Sequence, residues 1–421
     1  MIDLKLLRED LGSVRAAYAR RGGVDGLDVV VELDEKRRSL LAEVELLRAD
    51  QNRASKSIGQ ASPENRPAAI EQASEIAGRL KSLEPQLEAI SEELDRAAAR
   101  LPNFPHESVP EGRTEDDNVV EREVGDRREF DFEPQEHNEI GERLGLFDSD
   151  RAAKTSGSRF VYLTGKGVLL ELALVRFAID FCLERGFTPV VPPVLVRENA
   201  MYGTGFLPAD EHEFYKVERD DLYLVGTSEV PLASMHAGEI LDGGDLPVRY
   251  AGFSPCFRRE AGTYGKETKG LIRVHQFDKV EQFSFAHPDE SWDEYQSIRA
   301  NQEKILQSLE IPYRVLVMCT GDLGASAAKK VDHEAWLPGA GRYLELTSAT
   351  NATDYQARRL QVRCRTGGQT RLVHMLNGTA CAVGRTIVAL LENHQRADGG
   401  VDIPAALRPY TGFDEIAPPP T

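Results

Sequence analysis

The sequence predicts an α+β chain: a long antiparallel pair of helices, followed by a compact domain organised around a charged β-hairpin. Two patterns predict this. From Leu33 and again from Ile70, inward-facing residues recur at alternating spacings of four and three, the period of a helix that buries one stripe against a partner. Between Phe253 and Phe283, two runs of mixed aromatic and charged residues flank a glycine-containing loop, the layout of a β-hairpin.

The elements follow in chain order. Residues 3–21 form a short helix ending at Gly22-Gly23. The first long helix carries its stripe on Leu33, Arg37, Leu40, Val44, Leu47, Gln51, Ala54 and Ile58. GQASPENRP (59–67) breaks the pattern, which resumes at Ile70, Ala73, Ala77, Leu80, Leu87, Ile90, Leu94, Ala97 and Leu101. The short break makes the two arms antiparallel, and the first extends about 40 Å at 1.5 Å per residue. Pro85 removes a backbone donor and is expected to kink or loosen the second arm.

Residues 102–150 carry 16 acidic and 5 basic side chains and several prolines, so a linker with short elements is expected. The domain boundaries expected are 1–105, 106–160 and 161–421. The compact domain opens with a helix whose apolar residues are Leu169, Leu172, Val175, Ile179 and Leu183. That helix ends at Gly186 and leads into the strand FTPVV and Pro192-Pro193. No internal repeat is found, and the terminal APPPT is expected to lack regular structure.

Composition limits the possible functions. Of the 421 residues, 41% are hydrophobic and 29% charged, as in soluble globular proteins. No apolar run approaches the roughly 18 to 20 residues that span a bilayer. The start, MIDLKLLRED, has no long apolar stretch of the secretory kind, so a cytoplasmic location with no membrane partner is expected. The five cysteines are scattered without a C-x-x-C pair, which argues against a disulfide scaffold and a zinc site. The net charge of −18 opposes RNA binding as a bulk property. Its distribution softens that conflict: residues 102–150 carry −11, and residues 33–101 only −2.

The hairpin carries the chemistry. Alternation puts Arg273, His275, Phe277, Lys279 and Glu281 on one face of the second strand, and Ser254, Cys256, Arg258 and Glu260 on one face of the first. A ten-residue loop with glycines at 262, 265 and 270 joins the strands. Two arginines, an aromatic ring and two carboxylates on an open sheet face suit a polyanion, a stacked ring and a small cation held together.

FSPCFRREAGTYGKETKGLIRVHQFDKVEQF (253–283) resembles motif 2 of class II aminoacyl-tRNA synthetases, in the form found in seryl-tRNA synthetases. The resemblance extends over essentially the whole chain. It implies an antiparallel sheet flanked by helices, with an N-terminal coiled-coil arm that binds the long variable arm of serine tRNA. Arg48, Arg53, Lys56, Arg79 and Lys81 are candidate phosphate contacts on that arm, chosen by charge and location. The helix-strand unit at 169–193 resembles motif 1 and implies a homodimer.

The same resemblance implies the site. Arg258 bridges the amino-acid carboxylate and the α-phosphate of ATP, Arg259 and Val274 contact ATP, Glu260 meets the adenine edge and Phe277 stacks on adenine. NGTACAVGRTIVALLENHQ (377–395) resembles motif 3, which gives Arg385 the γ-phosphate. In YLELTSATNATDYQARRL (343–360), Glu345 and Ser348 coordinate Mg²⁺, while Leu346 and Thr347 complete the ATP contacts. Thr227-Ser228-Glu229 matches the family's serine-binding Thr-x-Glu, with Glu229 receiving the ammonium. Glu281 and Thr379 bond the serine hydroxyl, and Asn377 joins the serine site. The implied activity is serine activation with ATP and transfer to tRNA(Ser), and also to tRNA(Sec) where that tRNA is present. The rival is a class II amino-acid ligase that charges a carrier protein. Such relatives lack the long arm.

Overall fold

The computed structural model describes residues 1–261 and 270–418. The hairpin glycines at 262 and 265 and the last three residues of APPPT lie outside the described residues. The described chain divides into two compact units, Met1–Ala19 with Gly23–Pro102, and Arg20–Gly22 with Asn103–Thr421.

The first unit is helical. The segment expected as one helix forms two, Leu4–Glu9 and Leu11–Arg20. The break falls at Asp10, whose carboxylate accepts from the Ser13 backbone N–H at 3.0 Å and from the Ser13 hydroxyl at 2.6 Å. A side chain that caps the following turn competes with helix continuation at its own position. The long helices run Leu27–Gln60 and Arg66–Ala98. Every stripe residue named on the first is buried or half-buried. On the second the seam differs from expectation. Ile70 and Ala77 face solvent, whereas Ile76 and Leu83 pack against Val44, Leu47 and Leu80. The strict four-three repeat therefore runs 73, 76, 80, 83, 87, 90, 94.

Pro85 does not interrupt the helix Arg66–Ala98. It sits on the exposed face, where water can take the carbonyl it leaves without a donor, and the seam continues on both sides. At the base, the buried Asp34 receives Arg8 at 2.6 Å and Arg38 at 3.1 Å, and the Arg8 bond holds its carboxyl below the usual range.

The second unit is built on an eight-stranded sheet. Its order is Val119–Val124, Tyr313–Val317, Lys329–Leu337, Arg342–Asn351, His374–Ala382, Gln276–Ala286, Val248–Phe257 and Thr188–Val190. All neighbours are antiparallel except the last pair, where Thr188–Val190 runs parallel to Tyr250–Gly252. The acidic connecting segment supplies the edge strand Val119–Val124, a role that its charge hid.

Helices Lys166–Leu183, Ser291–Ser308 and Val383–Asn393 contribute to the main core with Val280, Ala349, Leu376 and Ala380. The approach of Ser291–Ser308 is close: a side chain at Gly378 would meet Ile298 at 2.4 Å. Gln302 on that helix donates to the Ser348 and Thr379 carbonyls at 2.8 and 3.0 Å, which pins the sheet where the site residues stand. Within Lys166–Leu183 the buried side is Leu170, Ala173, Leu174, Phe177, Ala178 and Phe181. Of the stripe expected there, Leu169, Leu172 and Leu183 are exposed, joined by Val168.

The charged hairpin is shorter than expected. Its ladder ends at Phe257 and resumes at Gln276, so Arg258, Glu260, Arg273 and His275 lie beyond regular pairing. Arg258 and His275 still bond: the Arg258 N–H donates to the His275 carbonyl at 3.0 Å. Glu260 then turns the chain at φ 49°. Of the first-strand face, Ser254 and Cys256 are fully buried rather than open.

Candidate active site

The sheet face away from the core holds a cavity of about 370 Å³. Alternation along Gln276–Ala286 delivers Phe277, Lys279 and Glu281 to it, while Val280 turns into the core. Asn377 and Thr379 enter in the same way from His374–Ala382, with Gly378 facing the helix behind. A bulge between Val280 and Glu281 shifts the register and sets Glu281 opposite Thr379.

Two carboxylates occupy one end. Glu281 Oε2 lies 2.6 Å from Lys279 Nζ and accepts from the Thr379 hydroxyl at 3.1 Å. Glu229, in the first turn of Glu229–Ser234, accepts from Gln356 Nε2 at 2.7 Å. Its backbone N–H donates to the Thr227 hydroxyl at 3.2 Å. Burial, and next the nearby Glu281 charge, push the Glu229 carboxyl up to about 7. Gln356, Lys279 and Arg258 offset part of that rise. The pocket end thus offers a carboxyl poised to ionise when a cation arrives, with a hydroxyl and a second carboxylate beside it.

Arginines, an aromatic ring and two further carboxylates line the rest of the cavity, with Arg258 close enough to act on Glu229. The Arg258 guanidinium lies 5.3 Å from the Phe277 ring centre, and its Nε donates to the Gly226 carbonyl at 3.2 Å. Arg273 bonds the Glu260 carboxylate at 2.6 Å. Arg385, near the start of Val383–Asn393, donates to the Glu345 carbonyl at 2.9 Å, to the Glu345 carboxylate at 3.2 Å and to the Ile272 carbonyl at 3.3 Å. Val274 and Leu346 add apolar walls.

Glu345 and Ser348 both face the cavity from Arg342–Asn351. Burial alone would raise the Glu345 carboxyl, but Arg385, Lys330 and Arg258 outweigh it and hold the group low. Some 41% of its side chain stays accessible, so the ionised oxygens remain open to a ligand. Across the ladder, burial raises Asp332, and Ser348 and Lys330 bond it. An ionised carboxylate and a hydroxyl three residues on are hard oxygen donors that fit Mg²⁺. Among the described residues no three His, Cys, Asp or Glu side chains form a metal cage, so phosphate oxygens and water would complete the shell.

The cavity thus gathers Thr227, Glu229, Arg258, Glu260, Val274, Phe277, Glu281, Glu345, Leu346, Ser348, Asn377, Thr379 and Arg385. It does not gather Ser228, Arg259 or Thr347. The Ser228 hydroxyl is buried against the Gly252 carbonyl at 3.2 Å. The Arg259 N–H donates to the Glu213 carbonyl at 2.9 Å. Thr347 faces the other way and meets His333 Nδ1 at 3.1 Å. A bulge between His333 and Glu334 separates Glu345 from Thr347.

Sequence reasoning set Lys279 on the charged face without giving it a role, and missed Lys330, Phe206 and Gln356 as parts of the site. Lys279 lies between Phe277 and Glu281 in the same alternation. Lys330, Phe206 and Gln356 arrive from elements that carry no local motif.

The comparisons with known proteins agree across the chain. Residues 1–105 match the seryl-tRNA synthetase N-terminal domain, and residues 215–394 match the tRNA synthetase class II core domain (G, H, P, S and T). Serine--tRNA ligase of Thermobifida fusca is 51% identical over 420 residues, covering 99% of each chain. Serine--tRNA ligase 1 of Streptomyces avermitilis is also 51% identical, covering 100% of this chain and 99% of its own. Among solved structures, seryl-tRNA synthetase of Pyrococcus horikoshii, complexed with ATP, superposes with a TM-score of 0.95 at 46% identity, covering 100% of both chains. The cytoplasmic serine-tRNA ligase of Naegleria fowleri, in complex with AMP, gives 0.90 at 34% identity, covering 100% of this chain and 99% of its own. With a class II core behind a helical-hairpin N-terminal unit, this chain belongs to the seryl-tRNA synthetase family.

Proposed function

We propose that the chain is a serine--tRNA ligase whose cavity activates L-serine with ATP and passes it to tRNA(Ser). The observation that carries this reading is one cavity lined both by the paired carboxylates Glu229 and Glu281 and by Arg258 and Arg385. Glu229 takes the serine ammonium, while Glu281, Thr379 and Asn377 surround its hydroxyl. A site built to bond a hydroxyl rejects an analogue that lacks it, by up to ~10⁴–10⁵ in good cases. The serine carboxylate then attacks the α-phosphorus and pyrophosphate leaves. Arg258 neutralises charge at the α-phosphate, Arg385 at the γ-phosphate, and Phe277 supports the adenine. No protein nucleophile is needed: alignment and charge stabilisation lower the barrier. Glu345 and Ser348 would hold Mg²⁺, which would neutralise phosphate charge.

The seryl group passes in a second step to the terminal ribose of tRNA(Ser), and of tRNA(Sec) in cells that have it. Residues 1–105 serve as the tRNA-binding arm and 161–421 as the catalytic domain, to whose sheet 106–160 adds the edge strand Val119–Val124. The exposed stripe Val168, Leu169, Leu172 and Leu183, with Val191 at 79% exposure, supports a homodimer. The location is cytoplasmic; among the described residues no helix is long and apolar enough to cross a membrane.

The test is aminoacylation of purified serine tRNA, with threonine, alanine and glycine as competitors. Serine-dependent ATP–pyrophosphate exchange without tRNA charging would instead favour a ligase that loads a carrier protein.

A further inference from the structure

His137 lies at the start of the helix His137–Arg143, far in sequence from every residue that lines the cavity, and is 2% exposed. Its backbone N–H and its Nδ1 meet Glu392 Oε1 at 3.1 and 3.3 Å. Because an ionised carboxylate only accepts, Nδ1 is the donor in this contact. The other Glu392 oxygen accepts from the Gly339 and Ala340 N–H groups at 2.9 and 3.1 Å. One bond therefore holds the imidazole to a carboxylate that three backbone N–H groups fix in place, and the ring's Nε2 is buried without a hydrogen-bond partner. That edge points at Gly270: a Cβ built on Gly270 would lie 2.1 Å from His137 Nε2. Gly270 has φ +68°, so both backbone conformation and space exclude a side chain there.

Directly after Gly270 comes the strip Leu271–Val274, which walls the cavity. Its Ile272 carbonyl holds Arg385, and its Arg273 holds Glu260. Arg385 and Glu392 share the helix Val383–Asn393. The helix thus fixes the strip twice, directly through Arg385 and indirectly through Glu392, His137 and Gly270.

We propose that His137 is a positioning residue for the nucleotide end of the site: its imidazole edge, locked by Glu392, sets the height at which Gly270 and the strip 271–274 lie over Arg385 and Glu260. It touches no substrate and acts through the backbone. The proposal rests on the reading of the cavity as an ATP-dependent serine-activating site.

The experiment measures serine-dependent ATP–pyrophosphate exchange, with KM for ATP and serine separated and thermal unfolding recorded, for Gly270→Ala, His137→Asn and the double variant. Asparagine keeps a donor toward Glu392 and deletes the ring edge that faces Gly270. Gly270→Ala should raise the ATP KM at least about tenfold, since small misplacements of aligned groups are costly, and leave the serine KM within about twofold. Adding His137→Asn should recover most of that deficit. Backbone strain at residue 270 is common to both alanine variants, so the recovery isolates the steric clash with the ring.

An unchanged ATP KM in Gly270→Ala, equal shifts in both KM values, or no recovery in the double variant would overturn the proposal. If Gly270→Ala does not fold, recovery of folded protein in the double variant supports the proposal and its absence overturns it. Wild-type protein without serine-dependent exchange would instead refute the functional reading, and would be seen before any variant is compared.

Discussion

Lys279 Nζ lies 2.6 Å from Glu281 Oε2, two residues along the same strand, and both side chains are almost closed to solvent. The pair supplies Glu281 with a permanent counter-charge, so a neutral hydroxyl can be bound beside it without leaving a bare carboxylate. Breaking a buried pair by removing one partner costs about 3–5 kcal/mol. Lys279→Met should therefore lower the urea midpoint sharply, and Lys279→Met with Glu281→Gln should restore much of it. Serine-dependent exchange should stay impaired in both. A double variant with wild-type serine KM would remove the pair from the serine end.

Glu229 yields a pH prediction with opposite signs for stability and function. Its carboxyl rises from an ordinary 4.5 to about 7 in the folded chain, through burial and then the Glu281 charge. The folded state holds this proton more tightly than the unfolded state, so the contribution is full below about 4.5 and is lost as pH rises through about 7. Glu229→Gln should flatten that part of the stability profile and raise the melting temperature at about pH 8. Serine binding needs the ionised form, so the wild-type serine KM should fall between about pH 6 and 8. The variant should lose about 10- to 100-fold in kcat/KM for serine, the value of a charged hydrogen bond. A serine KM independent of pH would contradict the ammonium role.

Glu345→Gln tests the metal assignment. Arg385 keeps its bond to the Glu345 main-chain carbonyl at 2.9 Å, so the local fold should survive. The Mg²⁺ concentration for half-maximal exchange should rise, and kcat should fall by roughly 10²-fold, the scale of forfeited charge stabilisation at phosphate. An unchanged Mg²⁺ titration would take Glu345 out of the metal site.

On the arm, Arg48 pairs with Glu84 at 2.7 Å and Arg79 with Glu43 at 2.8 Å, both across the two helices and largely exposed. Such pairs contribute about 0–1 kcal/mol each. Arg48→Ala with Arg79→Ala should move the melting temperature by only a few degrees. If these side chains also meet phosphates, the tRNA KM should rise and the salt dependence should become shallower by about one log unit per phosphate no longer neutralised. Deleting residues 28–100 should spare adenylate formation and cripple tRNA charging. Equal impairment of both steps would contradict that division.

Leu172 is 57% exposed on the helix that also builds the main core. Leu172→Glu should leave the protomer folded and shift the sedimentation coefficient to that of a monomer. A wild-type sedimentation profile for this variant would displace the proposed interface.

Much of this site could be read from the sequence because strand alternation and short motifs fix side-chain direction locally. Alternation alone sets Phe277 and Glu281 on the cavity face, whereas Asn377 and Thr379 were named through the family resemblance. The failures share one physical cause, a local rule overridden by a neighbour. Asp10 spends its carboxylate on the next turn and splits a helix. The bulges at Val280/Glu281 and His333/Glu334 change which residues face the cavity, which is why Thr347 turns away. The outward stripe at Leu169 and Leu172 has helical period, and period alone does not say which side is core. Lys330 and Gln356 reach the carboxylates only through folding of distant segments.

The helical arm has one more consequence. Between Ala54 on the outgoing helix and Leu80 on the returning one, no side chain is fully buried. Little apolar packing holds that end, so its amide protons should exchange with solvent far sooner than those beside Leu33 and Leu94. On the proposed reading of this unit as the tRNA-binding arm, a stiff base and a conformable tip let it adjust to an irregular nucleic-acid surface.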